Sequence, residues 1–147
     1  MKIAIGSDHA GFHLKEHLKT YLEKKGHVVL EQGTVEPIRC DYPDFALKVC
    51  QAVQRREADR GILVCGTGIG MSMAANKYNG IRAAVVTDSF SARATREHND
   101  CNVLCLGERI VGIGLAQSIV EEWCIAKFEG GRHQIRVEKM MQIEDNY

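Results

Sequence analysis

Residues 61–76 read GILVCGTGIGMSMAAN. An apolar run, Ile62-Leu63-Val64, meets Cys65, and glycines then alternate at 66, 68 and 70 before small and apolar residues resume at helical spacing. This pattern is a strand, a tight loop and a helix. Glycines in such a loop let backbone N–H groups turn toward a ligand, and the helix start adds partial positive charge, so the stretch suits an anion. A thiol stands at its mouth.

Other glycine loops fail on particular residues. A Walker loop needs Lys then Ser or Thr after its last Gly, and here Met71-Ser72 follow Gly70. A dinucleotide fingerprint spaces its glycines G-x-G-x-x-G, whereas these run G-x-G-x-G, so Asp88, at the right distance for a ribose contact, supports that reading only weakly. A cysteine phosphatase loop needs Arg where Met71 stands. What remains is an oxyanion or phosphate cradle beside a thiol able to act as nucleophile or base. The competing reading is a buried structural Cys with glycines that serve only the turn.

Working outward, KIAIGS at 2–7 is a strand, and Phe12, Leu14, Leu18, Tyr21 and Leu22 recur at helical spacing over 12–25. The loop between them holds Asp8 and His9 at the carboxyl edge of strand one, where parallel α/β folds bind ligands. His9, His13 and His17 are four apart, but no carboxylate or thiol completes a metal set. His13 and His17 fit a solvated face with Lys15, Glu16 and Lys19. Strand two is expected at 28–32, a helix at 44–56 with Pro43 at its start, and the central helix to about Tyr78. Tyr42 reads either as packing at a helix start or as a phenol over the site. Strand four is expected at 81–87, a helix at 89–99 with Ser89 as N-cap, and strand five at 102–106. A helix at 112–126 turns Leu115, Ile119, Val120 and Trp123 inward. Strands alternating with helices argue an α/β fold with a parallel sheet covered on both faces.

With 147 residues, one domain spanning 1–147 is expected, large enough to bury roughly two thirds of its unfolded surface. Nineteen basic and 19 acidic residues balance and are well mixed, which argues against nucleic acid or an anionic membrane as partner. No signal-like start and no membrane-length apolar run is present, so a cytoplasmic protein is expected. Six cysteines form no C-x-x-C pair or zinc spacing and read mostly as buried thiols.

After Glu129-Gly130-Gly131 a last helix at about 132–147 carries Ile135, Val137, Met140, Met141 and Ile143. It either docks on a second subunit or folds back on its own domain. Arg132 and Arg136 share one of its faces, as a phosphate clamp or as a solvated charged surface. His98 and Asn99 end the helix before strand five, where a His serves as proton-transfer group or as dipole partner.

Ser7-Asp8-His9-Ala10-Gly11, Asp41-Tyr42-Pro43, Cys65-Gly66-Thr67-Gly68-Ile69-Gly70, Ala74-Ala75-Asn76-Lys77, His98-Asn99-Asp100 and Gly130-Gly131-Arg132-His133 follow in this order. Together they resemble the type B ribose-5-phosphate isomerases, over essentially the whole chain. The resemblance implies a Rossmann-like three-layer sandwich with a five-stranded parallel sheet. It also implies a homodimer, or a tetramer, that shares its sites between subunits, and no metal or organic cofactor. The implied reaction converts D-ribose 5-phosphate to D-ribulose 5-phosphate through an enediolate. Cys65 would be the base, Thr67 and the backbone of Gly66, Gly68 and Gly70 would hold the oxyanion, and His98 would open the furanose. Asp8, Tyr42 and Asn99 would orient hydroxyls, while His9, Arg109, Arg132 and Arg136 would hold phosphate. A branch of that family places Glu where Met71 stands, so Cys65 puts this chain with the thiol branch. Related enzymes act on allose 6-phosphate or galactose 6-phosphate. A non-catalytic phosphometabolite-binding module is the alternative outside enzymology.

Overall fold

A computed structural model describes residues 1–144. The chain runs β1 (Lys2–Ser7), α1 (Phe12–Lys24), β2 (Val28–Glu31), α2 (Tyr42–Gln54), β3 (Arg60–Cys65) and α3 (Ile69–Ala75). It continues through β4 (Ala83–Val85), α4 (Ser89–Asn99), β5 (Val103–Gly107), α5 (Ile113–Ile125) and α6 (Arg132–Met141). All strand pairs are parallel, in the order β2-β1-β3-β5-β4. This is the expected α/β sandwich.

Alternation along the strands divides the interior into two cores. Ile3 and Ile5, Ile62 and Val64, and Leu104 and Leu106 face one side, against Leu14, Leu18 and Leu22 of α1, Ala92 of α4, and Ile119, Val120 and Trp123 of α5. Ala4, Leu63, Cys65, Val103 and Cys105 face the other, against Ala46, Val49 and Cys50 of α2 and Met71 and Ala75 of α3. The period of two in a strand buried on both faces produces three layers directly. It also aims Cys65 at the α2–α3 face.

The elements differ from the sequence expectations at several points. Strand four is only Ala83–Val85, and α3 ends at Ala75, because Asn76 turns its side chain to bond both the N–H and the carbonyl of Ala83. Asp88, not Ser89, caps α4: its carboxylate accepts the Ser91 N–H at 2.7 Å, which removes the grounds for a ribose contact. Leu115 lies exposed on the outer side of α5, while Ile119, Val120 and Trp123 are buried. Lys15, expected among solvated residues, is 1% exposed and folds inward onto Glu16, Glu31 and the Thr34 carbonyl. Five of the six cysteines are buried and Cys40 is half-buried. The last helix closes at Met141, well short of 147, and residues 145–147 of that expectation lie outside the described residues. Among the described residues no helix is long and apolar enough to cross a membrane.

Candidate active site

Three neighbouring strands end in a row. Ser7 pairs with Val64 and Cys65 with Gly107, so the loops beginning at Asp8, Gly66 and Glu108 leave the sheet side by side. The connection from β1 leads to β2 on one side while β3 lies on the other. A break of that kind opens a crevice beyond the carboxyl ends of the strands.

The groups at this edge are held by hydrogen bonds to the backbone of their own and neighbouring loops. Asp8 Oδ1 accepts the N–H groups of Ala10 and Gly11, at 3.0 and 3.2 Å, and so caps the short turn that enters α1. His9 Nδ1 accepts the Cys40 N–H at 3.3 Å. In the neutral ring this places the proton on Nε2, which becomes a donor for an anion. The Tyr42 ring lies across Gly70, where an added Cβ would meet its ring carbon at 2.8 Å. The phenol therefore covers the glycine loop.

Within that loop the Gly68 N–H donates to Cys65 Sγ at 3.1 Å. Gly68 has φ +81°, a left-handed conformation that favours glycine, and this turn is what aims its N–H back at the sulfur. Thr67 is exposed, and its Oγ1 accepts the Ile69 N–H at 3.3 Å at the start of α3. Burial pushes the Cys50 thiol up to about 12 and the Cys124 thiol up to about 11, and Cys101 and Cys105 are raised by burial as well. Cys65, 6% exposed, stands instead at the carboxyl end of β3.

Arg109 reaches the same place from β5. Its N–H bonds to the Gly66 carbonyl at 3.1 Å, and its guanidinium lies along Gly66, within 3.3 Å of where a Cβ would stand. Glu108, which sequence reading passed over, anchors this corner. Its N–H bonds to the Cys65 carbonyl at 2.9 Å and its carboxylate accepts the Leu14 N–H at 2.9 Å, tying β5, β3 and α1 together. Nothing short of the fold signals that role, because Leu14 is 94 residues away.

The remaining candidate residues lie elsewhere. Helix α4 starts at the carboxyl edge and ends at the amino edge, where Asn102 bonds to Arg82 and Gly61 beside the first residues of β3, β4 and β5. His98 and Asn99 therefore stand a strand length away from Cys65, ~16 Å for five residues. They also belong to a helix on the opposite face. There His98, Asn99, His133, Arg136, Val137 and Met140 line an open pocket of about 390 Å³. Arg132 and Arg136 are both exposed, and Arg132 Nε–H points at His133 Nε2 at 3.5 Å. The His98 and His133 rings stack, with centroids 4.3 Å apart and planes 9° apart.

His13 and His17 are exposed on α1 while His9 turns toward Cys40, so these three gather no ion. Among the described residues the one cluster of ligand-type groups is His98, Glu129 and His133. In the sequence His133 is marked only by the Gly130-Gly131-Arg132-His133 run, and Glu129 only by its place before that run. Their meeting depends on the packing of α6 against α4.

Comparison with known proteins accords with this geometry. The family model described as Ribose/Galactose Isomerase matches residues 3–140. Ribose-5-phosphate isomerase B of Escherichia coli is 51% identical over 97% of this chain and 96% of its own length. A galactose-6-phosphate isomerase subunit of Clostridium acetobutylicum is 43% identical, over 88% of this chain and 75% of its own. The solved structure of Clostridium thermocellum ribose-5-phosphate isomerase B superposes with a TM-score of 0.99 at 56% identity, covering 100% of this chain and 99% of that one. With the whole sheet, the glycine loop and both termini of the matched region included, the chain belongs to the ribose/galactose isomerase family and is a sugar isomerase.

Proposed function

We propose that this chain, as one isomerase domain, interconverts D-ribose 5-phosphate and D-ribulose 5-phosphate without a metal or organic cofactor. The observation that carries the reading is Cys65 Sγ, 3.1 Å from the Gly68 N–H at the carboxyl edge, with Asp8, Tyr42 and Arg109 around it. The Cys65 thiolate takes the proton from C2 of the open-chain aldose, and the electron pair moves onto the C1 oxygen. O1 then gains a proton, O2 loses one, and Sγ returns its proton to C1. The cost of this chemistry lies in the charge on the enediolate oxygen, and Thr67 with the N–H groups of residues 66–70 stabilises it where it forms.

His98 opens the furanose by proton transfer. Asp8, Tyr42 and Asn99 orient hydroxyls, and His9, Arg109, Arg132 and Arg136 hold the phosphate. Because His98 and Asn99 stand at the opposite edge from Cys65, a second copy of the chain brings them to it, along with Arg132 and Arg136. Exposed apolar residues on α3 and α6 fit such an association: Met73 is 66% exposed, Ile135 57% and Ile69 55%. The likeness to a galactose-6-phosphate isomerase subunit supports a second reading, a six-carbon sugar phosphate as substrate.

The test is ketose formation from ribose 5-phosphate in EDTA by wild type and Cys65→Ala, with allose 6-phosphate as second substrate. Turnover that falls by about 10³-fold in the variant supports the thiol base. A higher rate on the hexose phosphate would transfer the assignment to the second reading. Folded wild type inactive on both sugars would overturn the enzymatic assignment in favour of a phosphometabolite-binding module.

A further inference from the structure

Among the described residues Lys15 is the only buried lysine, and the chemistry proposed above leaves it unused. Its Nζ donates to the Thr34 carbonyl at 2.8 Å and pairs with Glu16 Oε1 at 2.8 Å and Glu31 Oε2 at 3.1 Å. A carbonyl and two carboxylates thus replace the water that burial removes from the ammonium. Only one of the three partners, Glu16, lies on Lys15's own helix. The other two belong to the end of β2 and the connection that follows it.

From there the bonds run on to the candidate active site. The other Glu31 oxygen, Oε1, accepts the Gly33 N–H at 2.8 Å, and the Thr34 N–H bonds to the Ser7 carbonyl at 3.0 Å, at the end of β1. This corner leaves no room for another path, since a Cβ on Gly33 would stand 2.6 Å from the Ser7 nitrogen and 3.0 Å from Lys15 Cδ. Residues 35–39 are then exposed. The connection returns at Cys40, whose N–H bonds to His9 Nδ1 at 3.3 Å, and Tyr42 opens α2 with its ring across Gly70. Lys15 therefore fixes the point at which an otherwise exposed segment leaves the sheet, and that segment ends on two residues of the site.

We infer that Lys15 is a positioning residue: by holding the Thr34 carbonyl and the Glu31 carboxylate, it sets the 32–41 connection so that Cys40 fixes the His9 ring and Tyr42 lies over the glycine loop. The kinetic consequence rests on the phosphate and hydroxyl contacts assigned to His9 and Tyr42 under the isomerase reading. Such contacts persist from bound substrate to transition state, so loosening them raises KM and leaves kcat nearly unchanged.

Lys15→Met keeps the apolar stem and removes the donor. It is expected to raise KM for ribose 5-phosphate about tenfold, the order of one lost bond from a charged donor, with kcat within about twofold of wild type. In the ligand-free protein the nitrogen NMR signal of His9 Nδ1 should shift as the Cys40 N–H withdraws. The variant also leaves Glu31 with only Lys19, 3.8 Å away, as its cation, which lowers the melting temperature. Lys15→Met/Glu31→Gln removes that uncompensated charge and should recover most of the melting temperature. KM and the His9 signal should stay as in the single variant, because the Thr34 carbonyl still lacks its donor. KM that returns to the wild-type value together with the melting temperature would reduce Lys15 to a core-stabilising group and overturn the positioning role. A His9 signal unmoved in both variants, or a loss of kcat at unchanged KM, would overturn it too. Should Lys15→Met fail to fold, the double variant compared with wild type carries the same test. Absence of turnover by wild type would instead refute the isomerase reading, and the His9 signal would then decide the positioning role by itself.

Discussion

The two ends of the sheet are built differently. At the carboxyl edge Asp8, His9, Cys65, Thr67 and Arg109 are all held by backbone bonds from their own or neighbouring loops. At the amino edge Asn99, Arg132 and Arg136 are exposed, and the ordered part is a stacked pair of imidazoles beside a carboxylate. The difference teaches that one edge is fixed by the fold of a single chain, whereas the other leaves its polar and charged side chains exposed. Groups fixed before a ligand arrives need no rearrangement as charge develops.

The strongest way to break this comparison is to separate the edges genetically. Cys65→Ala and His98→Gln should each lose most turnover alone, yet a refolded equal mixture should recover about a quarter of the wild-type rate, since half the dimers then contain one intact site. No recovery from a mixture shown to exchange subunits would place both groups in one chain's site. Next in size is Gly70→Ala, whose Cβ would stand 2.8 Å from the Tyr42 ring and push the phenol off the loop. A displacement near 1 Å at a reacting centre can cost ~10²-fold. Steady-state kinetics should show the loss in kcat/KM while the melting temperature changes little.

Gly68→Ala tests the loop as structure rather than chemistry. At φ +81°, with Leu106 backbone 3.0 Å from the new Cβ, it should cost at least about 1–2 kcal/mol in denaturant unfolding. A neutral result would mean the loop relaxes freely, and the carboxyl edge would lose its claim to rigidity. The smallest effect concerns the amino edge. Burial and positive neighbours lower His133, so below its ordinary value of 6.5 the unfolded chain takes up a proton that the folded chain resists. Stability is therefore retained above that pH and declines as pH falls through it. Thermal melts near pH 7.5 and 5.5 should differ less in His133→Gln than in wild type, with part of the decline remaining because His27 is also lowered, chiefly by burial.

The carboxyl edge was legible because its signals are local. Alternate glycines after an apolar run, with a Cys at the junction, specify strand, turn and helix within 16 residues, and loops after parallel strands share one edge by topology. The amino edge was not, since nothing in His98-Asn99 states at which end of the sheet a helix deposits it. Lys15 shows the same limit. Helical spacing placed it with solvated neighbours, yet Glu31 and the Thr34 carbonyl, far along the chain, draw it inside.

By itself the sequence determined the alternation of strands and helices, the two-faced burial of the strands and the thiol at the glycine loop, because each follows from periodicity or from the steric freedom of particular residues. Only the tertiary structure decided that α4 carries His98 to the edge opposite Cys65 and that Glu129 and His133 gather beside His98. Those outcomes depend on side chains and strand ends brought together across distances along the chain that no local pattern spans.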